Sequence, residues 1–346
     1  MKRELTYTNP VYPEYFADPF VWRTDGGYYA IGTGHDEARG VVTAAHAPTI
    51  FPLLYSVDLI AWTPVGRALI RPDPKCGTTF WAPEVVRAQG QWWLYYSAGF
   101  EDRQHHLRVA SSDRPSGPYV DCGALTRVDE CPFAIDPHAF QDDDGRWYLF
   151  HSRDFLNAVD ERGRTARAGT ALVVYPLESM TQLAVDGVTV ARAHYDWQRF
   201  RKDRPMYGAT YDWHTLEGPC LVKHQDRYYC LYSGGCWQTD TYGVDYVVGE
   251  SVLGPYSDEG AAHGARLLRT VPDRLIGPGH CSVVTAPDDE HLYIVYHAWD
   301  RAMTARRMCI DPLRISELGI ECSGPSWVEQ SLLLSESNGQ ANVYST

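Results

Sequence analysis

A pattern that recurs five times along the 346-residue chain constrains its fold more than any other feature. Each copy has a polar or glycine-containing turn, followed by an aromatic-rich strand that ends in small or polar residues. The copies lie at residues 25–32, 89–97, 144–152, 225–233 and 289–297, and their aligned anchor residues are Tyr28, Trp92, Trp147, Tyr228 and Leu292. The anchors are 64, 55, 81 and 64 residues apart. Repeats of this length indicate an architecture built from similar units.

The turns of the repeat predict five antiparallel hairpins. A short apolar strand precedes each copy, as at residues 20–22 and 283–284. Long stretches with helical periodicity are absent almost everywhere. Five four-stranded units without helices between them predict an all-β fold, a five-bladed β-propeller with antiparallel blades around a central channel. Such a ring closes on itself and leaves few open sheet edges.

The sequence contains no sign of a second domain. No low-complexity segment or linker interrupts the repeat, so residues 1–346 are predicted to form a single domain. The interval of 81 residues contains an aromatic-rich insertion at residues 195–214, which we expect to be an ordered loop over one face. The tail after about residue 327 has two interpretations, a closing strand or a loose end.

The charge balance and the termini argue against several partners. With 31 basic and 44 acidic residues the formal net charge is −13, which disfavours nucleic acid and anionic membranes. No apolar run approaches the roughly 20 residues of a membrane span. The basic residues Lys2 and Arg3 are not followed by the apolar stretch of a secretory signal. Nine cysteines without CxxC pairs fit a reducing compartment, so we expect a cytoplasmic protein. Nothing in the sequence indicates the oligomeric state.

Aromatic residues hint at the ligand. They make up 13% of the chain, including 11 Trp and 23 Tyr, and many adjoin Gly, Asp or His. Sugar-binding clefts use aromatic faces, on which the C–H groups of a sugar stack, although sheet cores use aromatic residues as well. Polar groups at the same place are therefore needed to support a sugar site.

Polar residues open the first strand of most repeat units. Counting back 10 to 12 residues from the anchors leads to Asp18, Trp81, Asp136, Glu217 and His280. The innermost strands of a propeller line its channel, so equivalent positions converge at one mouth of that channel. A single Asp-Pro pair is best explained as a strand cap. Three carboxylates at matched positions favour a functional site.

This ordered set resembles glycoside hydrolase family 43. The resemblance rests on five motifs in the expected blades, namely Ala17-Asp18-Pro19, Trp81-Ala82-Pro83-Glu84-Val85, Ile135-Asp136-Pro137, Leu216-Glu217-Gly218-Pro219 and Gly279-His280. It covers about residues 9 to 320, which is nearly the whole chain. Membership implies a five-bladed propeller and the inverting hydrolysis of pentosides or related glycosides, chiefly α-L-arabinofuranosides, arabinans and β-xylosides.

The resemblance implies a role for each carboxylate. Asp18 matches the general base that activates water, and Glu217 matches the general acid that protonates the leaving oxygen. Asp136 matches the third carboxylate, which keeps the acid protonated and oriented. Inversion requires one ionised and one protonated carboxyl, separated by roughly 6.5–9.5 Å so that water fits between substrate and base. A neighbouring negative charge raises the pKa of an acid, so Asp136 is expected to keep Glu217 neutral.

The resemblance also implies which residues bind the substrate and which could bind a metal. Arg306 best matches the arginine that reaches the sugar, with Arg307 one position away. Trp81 is expected to be a stacking wall, and Phe20 and His35 to line the same pocket. His280 matches an axial histidine that in many members binds a channel cation, often Ca²⁺, through water. No organic cofactor is expected.

Other functions remain open at this point. A glycoside phosphorylase would need a basic phosphate cluster beside the acid, and the pairs Arg201-Lys202 and Arg306-Arg307 are not obviously assembled for it. A non-catalytic sugar-binding propeller would need aromatic walls but no acid and base. The sequence therefore favours an exo-acting α-L-arabinofuranosidase that cleaves arabino-oligosaccharides, with β-xylosidase and β-galactofuranosidase as alternatives.

Overall fold

The computed structural model describes residues 3–36, 48–258, 260, 262–316 and 319–334. These residues fold almost entirely into β-strands, so the prediction of an all-β chain is confirmed. Two short 3₁₀ helices are present in this part of the chain, at Pro74–Cys76 and Asp196–Gln198. No helix within these ranges is long and apolar enough to cross a membrane.

Twenty of the strands form five antiparallel units, here called sheets 1 to 5, and the anchor residues lie on the second strand of each. Sheet 1 contains β2 (Ala17–Thr24), β3 (Gly27–Thr33), β4 (Thr49–Ser56) and β5 (Thr63–Ile70). Sheet 2 contains β6 (Thr79–Ala88), β7 (Gln91–Phe100), β8 (Arg103–Ser112) and β9 (Val120–Ala124). Sheet 3 contains β10 (Ala134–Gln141), β11 (Trp147–Phe155), β12 (Gly169–Ser179) and β14 (Val188–Ala191). Sheet 4 contains β16 (Ala209–His224), β17 (Arg227–Gly234), β18 (Gly243–Gly249) and β19 (Tyr256–Ser257). Sheet 5 contains β20 (Leu275–Thr285), β21 (Leu292–Asp300), β22 (Arg306–Ser316) and β23 (Gly319–Cys322).

Four further strands lie outside this scheme. The short β13 (Gln182–Leu183) pairs with β12, and β15 (Arg199–Met206) pairs with the first part of β16. The strands β1 (Arg3–Tyr7) and β24 (Gln330–Leu334) form a separate antiparallel pair. The predicted ordered insertion is therefore mostly a β-hairpin, β15–β16, built on an extension of the first strand of sheet 4.

The five sheets contact one another in cyclic order. Their first strands adjoin as β2, β6, β10, β16 and β20, and β20 returns to β2. Each of the five hydrophobic clusters lies between two successive sheets, including one between sheets 5 and 1. The cluster between sheets 5 and 1 also takes Tyr7 and Leu332 from the β1–β24 pair. Apolar side chains on both faces of each sheet are thus removed from water, which is the main stabilising term for such a stack.

Sheets 3 and 4 depart from the prediction of five separate four-stranded units. They are hydrogen-bonded into one ten-stranded sheet by a short parallel pairing of β12 with β16, Gly169 with His214 and Thr170 with Thr215. A Cβ atom on Gly169 would lie 1.8 Å from the carbonyl oxygen of His214, so the close approach requires glycine there. We call this parallel pairing the β12–β16 joint.

Candidate active site

Every first strand contains a two-residue β-bulge. In each sheet, two residues of the first strand lie opposite a single residue of the second strand. The first residue of each bulge has a positive φ, and these residues are Asp18 (51°), Ala82 (48°), Asp136 (59°), Gly218 (58°) and His280 (48°). Left-handed backbone is uncommon for residues other than glycine, and bulges redirect side chains. The same left-handed bulge position therefore sets the direction of three polar side chains, those of Asp18, Asp136 and His280.

The bulges correct the register expected from the sequence. Asp18, Asp136 and His280 occupy the left-handed position, but Glu217 and Trp81 precede it by one residue. Counting from the anchors misses this offset because the hairpins between the bulge and the anchor differ in length. Glu217 is thus not equivalent to the other two carboxylates, and its side chain starts from the position that Trp81 has in sheet 2.

Backbone N–H groups of the bulges bond to side chains of the preceding sheet. These bonds run from Asp18 to Nδ1 of His297 (3.1 Å), from Ala82 to Oγ1 of Thr33 (2.9 Å), from Gly218 to Oδ2 of Asp136 (2.9 Å) and from His280 to Oγ of Ser233 (2.6 Å). A buried N–H group without a partner is costly, so each bond also stabilises the bulge. The polar groups of the site consequently hold neighbouring sheets together.

Asp18 is a buried carboxylate that faces positive charge. Its Oδ1 atom lies 3.3 Å from Nη1 of Arg306 and 3.6 Å from Nδ1 of His280. Burial alone would raise the pKa of Asp18, but His280, Arg306 and His297, together with the Thr33 hydroxyl, lower it to about 2. Burial also lowers the pKa of both histidines, so Arg306 supplies the permanent charge. Asp18 is therefore ionised at neutral pH.

Asp136 and Glu217 are buried carboxyls whose pKa values are raised, whereas that of Asp18 is lowered. Burial raises the pKa of Glu217 to about 7, and the charge of Asp18 adds to the effect. Burial and the charge of Glu217 likewise raise the pKa of Asp136 well above its ordinary range. Two such acids share a proton near neutral pH. The N–H of Gly218 on Asp136 and the hydroxyl of Tyr242 on Glu217 each lower the pKa of the acid that accepts it, against the effect of burial.

Tyr242, the residue directly before β18 of sheet 4, orients Glu217. The hydroxyl of Tyr242 donates to Oε1 of Glu217 (2.7 Å), which leaves Oε2 to carry the proton. The ring of Tyr242 packs against the backbone of Gly279, where a Cβ would lie only 2.0 Å from the ring. Sequence reasoning missed Tyr242, because nothing in its own surroundings distinguishes it from the tyrosines of the cores.

His280 and His297 lie side by side behind the carboxylates. Their ring centroids are 6.4 Å apart, and Nδ1 of His280 lies 3.9 Å from Oδ2 of Asp136. Since Nδ1 of His297 accepts the N–H of Asp18, that imidazole carries its proton on Nε2. The sequence contained a signal for His297, because it ends the fifth repeat at a place where the other copies have Thr or Ser.

Arg306 lies in an aromatic cage that the sequence did not indicate. Its guanidinium carbon lies 4.6 Å from the ring centroid of Trp237, 5.9 Å from Trp299 and 5.6 Å from Tyr15. The neighbouring Arg307 faces another direction and forms an ion pair with Asp300 (2.8 Å). Of the two arginines considered from sequence, the structure therefore brings Arg306 to the carboxylates.

Trp81 presents a partly exposed ring at the beginning of β6. It stacks on His105 with 3.6 Å between ring centroids, and Phe133 meets the other side of His105 edge-on at 5.7 Å. Burial lowers the pKa of His105 to about 3, so this support is neutral. A neutral, closely stacked platform leaves one face of Trp81 for a ligand.

The other two residues predicted to line the pocket lie at different depths. Phe20 stacks on Trp22 (6.4 Å) and packs against the core between sheets 1 and 2. His35 is exposed and meets the ring of Tyr15 edge-on at 5.2 Å. His35 therefore lies at the rim beside the Arg306 cage, whereas Phe20 is mainly a core residue.

The hairpin β15–β16 bounds a cavity next to the Trp81 platform. The cavity has a volume of about 480 Å³, and its lining includes Asp102, Phe133, Arg204 and Tyr207. Arg204 donates to Asp102 (3.2 Å), and Tyr207 donates to Asp154 (2.7 Å), so the hairpin is tied to sheets 2 and 3. The charge of Arg204 also reaches Glu217 and lowers its pKa slightly against the effect of burial. The cavity therefore lies beside the hairpin, between sheets 2 and 3.

His280 by itself provides only a nitrogen ligand for a cation. The one group of three His, Asp or Glu side chains that could meet at an ion, among the residues described, is Asp288, Glu290 and His291 in the turn after β20. Asp288 accepts the N–H groups of the other two and so has a structural role. Calcium prefers six to eight oxygen ligands. His280 therefore fits calcium only through bridging water.

Comparisons with known proteins identify relatives of this chain. The family model described as Glycosyl hydrolases family 43 matches residues 7–320. A β-D-galactofuranosidase of Aspergillus niger is 28% identical over 328 residues, covering 90% of this chain and 83% of that protein. An extracellular endo-α-(1→5)-L-arabinanase of Bacillus subtilis is 26% identical, covering 91% and 88%. The crystal structure of a thermostable family-43 glycoside hydrolase superposes with a TM-score of 0.75 at 27% identity, covering 94% and 98%.

Proposed function

The chain belongs to glycosyl hydrolases family 43, and on that basis we propose that it is an inverting, exo-acting α-L-arabinofuranosidase that cleaves arabino-oligosaccharides. One observation carries the proposal. A buried carboxylate held ionised by an arginine, Asp18, shares a site with a carboxyl whose pKa is raised to about 7, Glu217. An inverting glycosidase needs this pairing of an ionised base and a protonated acid.

The chemistry follows from the two protonation states. Asp18 takes a proton from a water molecule, and the oxygen of that water forms a bond with the anomeric carbon. Glu217 gives its proton to the glycosidic oxygen as the bond from that oxygen to the anomeric carbon breaks. The products are a sugar of inverted configuration and an alcohol, while one proton has moved from Glu217 to the leaving group and one from water to Asp18. Asp136 acts on Glu217 and not on the substrate.

We also propose that the five sheets are the blades of a closed β-propeller. The cyclic contacts of the first strands and the five clusters between successive sheets support a ring. In such a ring the bulges of β2, β10 and β20 lie around one mouth of the central channel. This placement explains how residues as far apart in sequence as Asp18 and His280 come within 3.6 Å.

The proposal that the substrate is an arabinofuranoside is more specific than the assignment to a family of glycoside hydrolases. Arabinanases and arabinofuranosidases are prominent among the relatives, as with the Bacillus subtilis protein. The β-galactofuranosidase of Aspergillus niger supports a second candidate, since that sugar is also a five-membered ring. The cavity beside Arg204, whose charge reaches Glu217, would take the leaving sugar of a short oligosaccharide.

A substrate panel tests this proposal. Nitrophenyl α-L-arabinofuranoside, β-D-xyloside and β-D-galactofuranoside are compared by kcat/KM, and proton NMR of the first product identifies its anomer. The proposal requires the arabinofuranoside to be the best substrate and the product to have the opposite configuration. A retained configuration, or a requirement for phosphate, would contradict it.

The pH dependence should report the proton on Glu217. Because the acid must be protonated, kcat/KM is expected to fall as the pH rises through about 7, the pKa of Glu217. Asp136→Asn keeps an acceptor for the N–H of Gly218 but removes a negative charge. The pKa of Glu217 should then be lower, and the alkaline limb should move to lower pH. An unmoved limb in Asp136→Asn would show that the charge of Asp136 does not raise the pKa of Glu217.

Calcium in the channel stays a prediction, and removing it provides the test. If His280 binds a calcium ion through water, exhaustive treatment with EDTA should lower the melting temperature and the activity, and added Ca²⁺ should restore both. The same treatment of His280→Gln should have no further effect. A wild-type protein unchanged by chelation would assign His280 to the carboxylates alone.

A further inference from the structure

Tyr15 lies in the segment between β1 and β2, directly beside the Arg306 cage. Its ring is partly buried, and its hydroxyl is the acceptor for two N–H groups of Arg306, Nε at 3.2 Å and Nη2 at 2.7 Å. A third N–H group of the same guanidinium, on Nη1, points to Asp18 (3.3 Å). One arginine thus holds both the Tyr15 hydroxyl and the Asp18 carboxylate.

The hydrogen bonds fix the direction of the tyrosine proton. A phenolic oxygen accepts about two hydrogen bonds and donates one. Since Arg306 occupies the acceptor positions and has no acceptor of its own, the proton of Tyr15 must point away from the guanidinium. Arg306 cannot turn aside easily, because it is buried and packed against Trp237. The hydroxyl is therefore a donor with a set orientation at the edge of the site.

We propose that Tyr15 is a specificity-determining residue whose hydroxyl donates a hydrogen bond to one hydroxyl group of the bound sugar. The inference rests on the proposed function and refines it. Asp18 can only accept hydrogen bonds, and a sugar hydroxyl both donates and accepts. Tyr15 supplies the complementary donor next to Asp18. Arg306, which the sequence assigned to the sugar, is then mainly the group that positions Tyr15 and Asp18.

The test combines Tyr15→Phe with substrates that lack single hydroxyl groups. The nitrophenyl glycoside that the wild-type protein hydrolyses best is compared with its monodeoxy derivatives, each by kcat/KM. On the complete sugar, Tyr15→Phe should lower kcat/KM by about three- to tenfold, the usual worth of one neutral hydrogen bond. On the one deoxy sugar that lacks the partner hydroxyl, wild type and Tyr15→Phe should be equal.

If Tyr15→Phe acted only by disturbing the structure, kcat/KM would vary across the deoxy sugars in a different way. If Tyr15 only positions Arg306, Tyr15→Phe should lower kcat/KM by the same factor on every sugar of the series, and this result would overturn the inference. An unchanged kcat/KM on the complete sugar would overturn it as well. Tyr12→Phe is the matched control, because Tyr12 belongs to the same segment but packs edge-on against Phe16 (5.7 Å). A wild-type protein inactive on every glycoside would refute the proposed function instead.

Discussion

Replacing Glu217 with glutamine is expected to lower kcat/KM on an arabino-oligosaccharide by about 10²- to 10⁴-fold. A sugar alcohol is a poor leaving group and needs the proton that Glu217 supplies. A dinitrophenyl glycoside leaves without protonation, so its hydrolysis should lose less than about tenfold. Glutamine retains an acceptor for the hydroxyl of Tyr242, so the site should keep its shape. Steady-state kinetics on the two substrates measure the difference directly.

The control for this experiment is Glu321→Gln, on the exposed outermost strand of sheet 5. It should leave both activities unchanged. Equal losses of Glu217→Gln on the natural and the activated substrate would mean that Glu217 is not the proton donor. In the Glu217→Gln variant the alkaline limb of the pH profile should also disappear, because the group that titrates near pH 7 is gone.

Asp18→Asn should lower kcat by about 10²- to 10⁴-fold on natural and activated substrates alike, because water needs its base whichever alcohol leaves. The change also removes the negative charge that faces the buried guanidinium of Arg306. A buried charge that loses its partner is destabilising, so the melting temperature should fall. Kinetics on both substrates and a thermal melt of the variant measure the two effects.

Asparagine is the replacement of choice because Asp18 has φ 51°, a conformation that Asn tolerates better than most residues. The control is Asp273→Asn, since Asp273 has φ 63° but lies exposed beside Arg301. It should keep activity and stability. If Asp18→Asn lost far more activity on the natural than on the activated substrate, Asp18 would be the acid and the two roles would be exchanged.

The five-fold repeat predicted the hairpins because strand alternation and turn chemistry are local properties. Each anchor residue lies on a second strand, and Asp18, Asp136, Glu217 and His280 all lie on first strands. The register of the first strands could not be predicted in the same way, because counting back from the anchors assumes that all five hairpins have the same length. Proline is the second residue of the bulge in sheets 1 to 4, at 19, 83, 137 and 219, and it provides a better alignment than the anchors.

Contacts between distant segments could not be read from the sequence. Tyr15 and Arg306 are 291 residues apart, and the packing of sheet 5 against sheet 1 brings them together. Trp237 lies in the connection between β17 and β18. The β12–β16 joint likewise depends on a backbone approach at Gly169, which no local pattern indicates. Such features follow from tertiary packing and not from local preference.

The β12–β16 joint also fixes the strand that carries the acid. From Ala209 to His214 the strand extends about 17 Å, at roughly 3.3 Å per residue, before it reaches the joint. The pairing of His214 and Thr215 with β12 lies between the hairpin and Glu217. Glu217 therefore follows, by two residues, a backbone connection to sheet 3, and its place in the site does not depend on the hairpin alone.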